Sequence, residues 1–266
     1  MNVKFDVDKY FLLLSILKHH NYSENKDIRR LMVKVENIKE KYSDDLFIKI
    51  FLENDVEPGF LLPLLFYDKK YKIDRSFVLI KKIYENIFKT KEFQKIYQET
   101  IIFQSKLKKE WEDNIDFINN FLADIFRKKM VMPQLTVYLT HPDLPSGRCY
   151  SNYQIAIYGH KEEWPHYNIV YIAHEYLHSI FNSLNLKKKK LIHCLIELIT
   201  DNELRIALNK KGQYFKDKNI KIGHDYLRKT EKIILPYWRK YLKNNNKYNK
   251  NIITFYNFLK DLKELK

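Results

Sequence analysis

Residues 166–182 read HYNIVYIAHEYLHSIFN, and the interpretation of the whole chain starts from this stretch. Its apolar residues recur every three or four positions and share one broad face, which predicts an amphipathic helix. His174 and His178 are four residues apart, so they stand on the same side of that helix. Glu175 completes an H-E-x-x-H sequence. Two imidazoles placed in this way can reach one metal ion, with a carboxylate beside them.

A second predicted helix, residues 191–208, follows a polar connection and offers further metal ligands. Glu197 lies on it, separated from His178 by 18 residues and flanked by apolar side chains. A carboxylate in such a run is costly to bury unless it is paired or bound to a metal. A zinc site needs a third protein ligand and one open position, so Glu197 is the predicted third ligand. Asp201 follows one helical turn later, where it can fix the tautomer of a ligand histidine.

This pattern resembles the gluzincin superfamily of metallopeptidases, to which thermolysin-like and aminopeptidase-like enzymes belong. The resemblance covers residues 135–226 and rests on H-E-x-x-H, the glutamate after 18 residues and the aspartate four residues further on. It implies a zincin-like catalytic core that binds one Zn²⁺ ion through His174, His178 and Glu197. It also implies that Asp201 supports a ligand histidine and that Glu175 is the general base.

The mechanism implied by the resemblance is hydrolysis of peptide bonds in peptides or proteins by a metal-activated water. Zinc lowers the pKa of its bound water to about 7 in metalloproteases, and Glu175 would take the proton and pass it to the leaving amine. Gluzincins stabilise the oxyanion with a His or Tyr downstream of the glutamate helix. His224 and Tyr226 are the candidates here, and Gly223 and Asp225 beside His224 favour it slightly.

A strand ahead of the active-site helix pairs with extended substrate in such enzymes. Residues 150–158 hold that place in this chain, and addition of a peptide to a sheet edge is physically sensible. The glycine-rich exopeptidase motif of the aminopeptidase branch is missing from residues 149–159. The resemblance therefore does not extend to an aminopeptidase assignment.

Each of these residues also has an interpretation that involves no metal binding or catalysis. His174 and His178 can be helix histidines without a metal, and His224 can be an ordinary surface histidine. His193 and Cys194 are interpreted as core or surface fillers rather than ligands, and Glu203 as a solvated glutamate.

The rest of the chain predicts an α+β fold that is predominantly helical. Residues 1–128 show apolar residues at the helical period throughout, which predicts an N-terminal helical region. Residues 135–140 and 149–158 are rich in Thr, Val, Ile and Tyr and predict two strands of a small mixed or antiparallel sheet. We therefore expect a division into an N-terminal helical region, residues 1–128, and a zincin-like metallopeptidase domain, residues 129–266.

Composition supports a helical protein and leaves a second function open. The chain has only 5 Gly and 7 Pro against 20 Tyr and 17 Phe, and so few turn formers favour long helices. The net charge is +15, which can indicate nucleic-acid binding. Lysine is spread along the whole chain, whereas nucleic-acid binders concentrate charge on one face. The alternative prediction is a basic nucleic-acid-binding or protein-interaction module with a non-catalytic zinc site.

Cellular location is predicted from cysteine usage and apolar runs. Two cysteines, Cys149 and Cys194, cannot form a disulfide framework, so a reducing, cytoplasmic location is expected. The N-terminus lacks the basic segment and cleavage site of a signal peptide. No stretch approaches the roughly 20 apolar residues of a membrane span, since the run at residues 60–66 is short and contains Pro63. The sequence gives no prediction of oligomeric state.

Overall fold

The computed structural model describes residues 1–52, 75–128, 133–150, 154–184, 186–243 and 250–265. These residues form a predominantly helical α+β structure with a small mixed sheet, as the sequence predicts. The apolar run at residues 60–66 lies outside the described residues. Cys149 and Cys194 are free thiols. Among the described helices, none has both the length and the apolar character needed to cross a bilayer.

The described elements begin with a strand and end with helices. The described α-helices are α1 (Lys9–His19), α2 (Lys26–Lys41), α3 (Leu46–Leu52), α4 (Arg75–Phe88), α5 (Lys91–Phe126), α6 (Tyr167–Ser183), α7 (Lys189–Glu197), α8 (Arg205–Asn209), α9 (Arg228–Leu242) and α10 (Ile252–Lys260). The described strands are β1 (Asn2–Asp6), β2 (Gln134–Leu139), β3 (Ser146–Tyr150), β4 (Ile155–Gly159), β5 (Lys216–Asp217) and β6 (Ile220–Lys221).

The main sheet has four described strands in the order β1-β2-β4-β3. β2 pairs in parallel with both β1 and β4, whereas β3 pairs antiparallel with β4, so the sheet is mixed. Buried and partly exposed residues alternate along β2, as expected for a strand with one face against a core. Within the described sheet, β1 and β3 form the two edges.

Residues 149–158 are predicted as one strand, and this prediction is wrong. β3 ends at Tyr150, β4 begins at Ile155, and Cys149 lies opposite Ala156 in an antiparallel pair. Gln154 has a φ of 54°, a left-handed conformation that a continuous strand does not contain. The same break divides residues 150–158, which are predicted to pair with substrate as one strand. Residues 151–153 lie outside the described part of the chain.

β1 brings the beginning of the chain into the sheet. Asn2 pairs with Gln134 and Asp6 with Tyr138, so the sheet draws on residues from both sides of position 128. The division into residues 1–128 and 129–266 stays a prediction.

Most of the described buried apolar side chains belong to two large clusters. The larger cluster joins β2 and β4 to α5, α6, α7, α9 and α10, and includes Ile118 and Leu195. The smaller one joins α1 to α4 and the start of α5, and includes Phe93. The 36 residues of α5 span about 54 Å at 1.5 Å per residue, and they contribute to both clusters. This helix therefore holds the helical layer and the sheet together.

The helix that carries the H-E-x-x-H sequence, α6, lies on the sheet. Ile169, Leu177 and Ile180 on it are fully buried in the larger cluster. The Tyr176 hydroxyl donates a hydrogen bond of 2.6 Å to the Pro133 carbonyl just ahead of β2. It also accepts a hydrogen bond of 3.4 Å from the backbone N–H of Asn2. These contacts fix α6 against the parallel strands β1 and β2. The other side of α6 faces α7.

We predict that Ile118→Ala lowers the free energy of unfolding by about 2–5 kcal/mol, because it leaves a cavity in the larger cluster. Ile102→Ala, in the same helix, is the matched control. Ile118 is fully buried whereas Ile102 is 56% exposed, so the control should change the free energy by less than about 0.5 kcal/mol. Urea unfolding of the two variants measures the difference, and equal losses would show that α5 does not pack as described.

Candidate metal centre

The two histidines of the H-E-x-x-H sequence meet at their ring tips. His174 and His178 lie one turn apart on α6, and their Nε2 atoms are 3.2 Å from each other. His174 is almost completely buried, and His178 is partly buried. The structure therefore brings together the first two predicted ligands.

Asp201 fixes the orientation of the first of these rings. The His174 Nδ1 atom lies 3.1 Å from Asp201 Oδ1, and the Thr200 hydroxyl donates to the same oxygen at 3.1 Å. Because an ionised carboxylate only accepts, this contact places a proton on Nδ1 and turns Nε2 towards His178. Burial lowers the pKa of His174, but Asp201 outweighs it and raises this pKa to about 9. Asp201 thus lies where the sequence predicts it, behind a histidine that is a predicted ligand.

A π-helical segment, Leu198–Leu204, directly continues α7 and carries Asp201. Such segments leave backbone groups out of the regular ladder and are frequent at functional sites. Here the Asn202 side chain donates to the Glu197 carbonyl at 2.9 Å and accepts from the Phe215 N–H at 2.7 Å. Arg205, which is fully buried, donates to the Asp201 carbonyl at 2.7 Å. Side chains therefore hold the widened turn in shape.

Glu197, the predicted third ligand, is fully buried but bonds to the loop that follows β6. Its Oε1 accepts a hydrogen bond of 2.9 Å from the backbone N–H of His224 and a second, short one from His224 Nδ1. Ligand atoms of Glu197, His193 and His224 all lie within 4.8 Å of one another. Among the described residues, His174, His178 and Glu197 do not form such a group. The pairing with His224 accounts for this, because it draws Glu197 away from α6.

His193 was expected to be a filler, and the structure places it at the centre of the cluster. One of its ring nitrogens lies within 4.8 Å of ligand atoms of His174 and His178. Its ring centroid is 4.8 Å from that of His178 and 4.8 Å from that of His224. His193 precedes Glu197 by four residues on α7. The sequence signal was therefore present, because i and i+4 side chains share a helix face.

The surroundings of His178 and His193 favour their neutral imidazole forms. Burial and the neighbouring histidines lower the pKa of His178 to about 2. Burial and His174 similarly lower the pKa of His193 to about 4. A neutral imidazole is the form that binds a metal, so the environment suits both rings to that role.

The loop from Gly223 to Tyr226 closes over Glu197. Gly223 has a φ of +75°, and a Cβ atom there would lie 2.2 Å from Glu197 Oε2, so only glycine allows this approach. His224 borders the cavity beside the cluster. The Tyr226 hydroxyl lies 3.0 Å from His193 Nδ1 while the residue itself stays 61% exposed. Both predicted oxyanion donors thus reach the cluster, Tyr226 through His193.

A second buried carboxyl group lies against Glu197. Glu231 is fully buried on α9, and Arg228 donates to its Oε2 at 2.8 Å. Burial, and then the hydrogen-bonded Glu197 carboxylate, hold the pKa of Glu231 well above its ordinary value. Protonated Glu231 can therefore donate to Glu197, which otherwise has a buried Oε2 without a donor among the described residues.

Glu175 faces the cavity from α6. It is 6% exposed and borders a cavity of about 450 Å³ together with His174, His178, His193 and His224. Burial raises its pKa, while a hydrogen bond from the Cys149 backbone N–H lowers it. Residues Gly147, Arg148 and Cys149 of the edge strand β3 border the same cavity. The arrangement joins a buried carboxylate, a cluster of imidazoles and a strand edge in one cleft.

Comparison of the chain with protein-family models, with curated proteins and with solved structures finds no significant match. What the site can do is therefore inferred from its own residues.

We predict that Gly223→Ala lowers the free energy of unfolding by about 1–2 kcal/mol or more. The added methyl group is strained at positive φ and collides with Glu197. Lys229→Ala, at an exposed position in the following helix, is the control and should be nearly neutral. Urea unfolding of metal-free protein measures both, and a neutral Gly223→Ala would mean that the loop does not close on Glu197.

Proposed function

We propose that this chain is a metal-dependent peptidase with a zincin-like core, in which Glu175 is the general base. The supporting observation is the joint position of His174, His178 and Glu175 at one buried cleft, with Asp201 behind the first histidine. Each of these contacts has a use in hydrolysis, and a non-catalytic zinc site does not need a carboxylate beside it.

The donor set fits a zinc ion. His174, His178 and His193 can hold it as imidazole ligands, and Glu197 is the carboxylate candidate from the same helix as His193. His193 Nε2 is buried and has no hydrogen-bond partner among the described residues, which is costly unless a cation or a water takes that position. When bound, zinc polarises a carbonyl oxygen and lowers the pKa of a water molecule to about 7. Other divalent ions can also occupy such N and O ligands.

Glu175 supplies the proton transfers. Burial raises the pKa of its carboxyl group, which brings it closer to the neutral range where a general base works best. The charge of His174 and the hydrogen bond from the Cys149 N–H both oppose this rise in pKa, and the hydrogen bond also orients the carboxylate. Glu175 would accept the proton of the attacking water and return it to the leaving amine.

His224 is the better placed of the two donors for the developing oxyanion. It borders the cavity, and its bond to Glu197 raises its pKa, which favours the protonated ring that can donate through Nε2. The Tyr226 hydroxyl is already engaged by His193. This supports His224 in that role and Tyr226 in positioning His193.

A peptide substrate fits the edge strand β3. It pairs with β4 on one side only in the described sheet, and three of its residues border the cavity. Main-chain groups along such an edge can pair with an extended peptide whatever its side chains are. The substrate strand is thus β3, and β4 lies behind it.

The nucleic-acid alternative stays a prediction. It rests on the net charge of +15 and implies binding that weakens steeply with salt. Binding of single- or double-stranded DNA or RNA at low salt tests it, and no detectable binding would end it.

We predict that Glu175→Gln lowers peptidase activity by about 10²–10⁴-fold, because the amide cannot accept the proton. Activity is measured on casein and on peptide libraries with zinc supplied. Glu112→Gln, at an exposed position in α5, is the control and should match the wild-type protein. Undiminished cleavage by the Glu175 variant would contradict the proposed mechanism.

We predict that Asp201→Asn weakens zinc binding by about 10–100-fold, because the neutral amide no longer raises the basicity of His174. Competition with a chromophoric chelator measures the affinity. Asp113→Asn, exposed on α5, provides the comparison and should bind zinc as the unaltered chain does. An Asp201 variant with unchanged affinity would show that the contact with His174 does not support a metal ligand.

A further inference from the structure

We propose that His193 is the third protein ligand of the metal, and that Glu197 is the buried anchor of the loop Gly223–Tyr226 and not a ligand. This inference rests on the metal centre of the proposed function, and does not depend on peptide cleavage. It follows from three observations: where His193 Nε2 lies, what holds His193 Nδ1, and how Glu197 is already engaged.

The ring of His193 lies beside the other two histidines and has one ring nitrogen without a partner among the described residues. Its Nε2 atom is buried and has no hydrogen-bond partner among the described residues. A ring nitrogen of His193 belongs with His174 and His178 to a group in which all ligand atoms lie within 4.8 Å of one another. The ring centroids of His193 and His174 are 5.3 Å apart, at an interplanar angle of 77°. Three rings at such angles can direct their lone pairs at one point.

The other ring nitrogen of His193 is held from outside, as in His174. The Tyr226 hydroxyl lies 3.0 Å from His193 Nδ1, just as Asp201 lies 3.1 Å from His174 Nδ1. Metal-binding histidines almost always bond through their second nitrogen to a neighbouring group, which fixes the ring and the tautomer. His193 and His174 share this arrangement, so both rings are prepared in the same manner.

The Oε1 atom of Glu197 already has its partners on the side of the loop, and Oε2 lies against Gly223. Oε1 accepts two hydrogen bonds from His224, and Gly223 approaches so closely that a Cβ there would meet Oε2 at 2.2 Å. His193 Nε2 is 3.7 Å from Oε1. Glu197 Oε1 is thus committed to the loop that carries Tyr226 and not to the two histidines of α6.

Three imidazoles with one open position are a known ligand set for catalytic zinc. α6 supplies two of them four residues apart, and α7 supplies the third from the facing turn. The geometry thus completes the site without the carboxylate that the sequence pattern suggested.

Metal titration of the full-length chain separates the two ligand sets. The protein is stripped with a chelator, and Co²⁺ and Zn²⁺ affinities are measured for the wild type, His193→Gln, Glu197→Gln and the control His160→Gln. His160 lies away from the cluster, bonded to the Lys161 carbonyl. We expect His193→Gln to weaken both metals by more than about 100-fold, since losing a ligand costs more than losing an outer partner. Glu197→Gln should weaken them by less than about 10-fold, and His160→Gln should not change them.

A loss of more than 100-fold in Glu197→Gln, whether or not His193→Gln also loses binding, overturns the inference. Zinc X-ray absorption of the wild-type protein gives a second measurement that does not depend on how the variants fold. Scattering from three imidazoles per zinc supports His193 as a ligand, and scattering from two contradicts it.

The metal-binding measurements also distinguish a failure of this inference from a failure of the proposed function. Wild-type protein that binds neither metal overturns the metal centre itself. Protein that binds one zinc through three imidazoles but cleaves no peptide overturns only the peptidase activity.

Discussion

The buried carboxylate of Glu197 is the constraint on which the site depends. An ionised group cannot be removed from water among Leu195, Ile196 and Leu198 without compensating hydrogen bonds or charges. Its Oε1 obtains them from His224, and a protonated Glu231 can supply one to Oε2. Satisfying this one group draws a loop and a helix from later in the chain against α7. The loop in turn brings Tyr226 to His193. The arrangement of the imidazole cluster therefore depends on the hydrogen bonds that Glu197 accepts.

A second layer of support comes from the backbone irregularity after α7. The π-helical segment places Asp201 behind His174, while Asn202 and Arg205 bond to the Glu197 and Asp201 carbonyls. Buried side-chain hydrogen bonds of this kind make the backbone that they hold more rigid. The precise aim of His174 is thus set by groups that touch no part of the cavity. Together with the contact between the Tyr226 hydroxyl and His193, these hydrogen bonds give the cluster the preorganisation that metal binding requires.

Much of this arrangement is visible in the sequence, because it follows from helical periodicity. The helix of His174 and His178, the following helix and the position of Asp201 all come from intervals of three and four residues. His193 was missed because its neighbours suggested a filler, and its role depends on a tyrosine 33 residues away. The turn at Gln154 has no Gly or Pro to mark it, so β3 and β4 read as one strand. Pairing of β1 with β2 involves distant residues, which no local pattern can predict.

That distant pairing has a consequence for how the chain reaches its final form on the ribosome. Asn2 is synthesised long before Gln134, its partner in the sheet. At 5–20 residues per second, the interval is on the order of 10 s. Throughout that time β1 has no neighbour in the main sheet, and its backbone donors and acceptors are open to other chains. The sheet beneath α6 can close only after β2 and β4 have emerged, so the cleft is among the last parts of the molecule to be assembled, and contacts this far apart in sequence also form slowly.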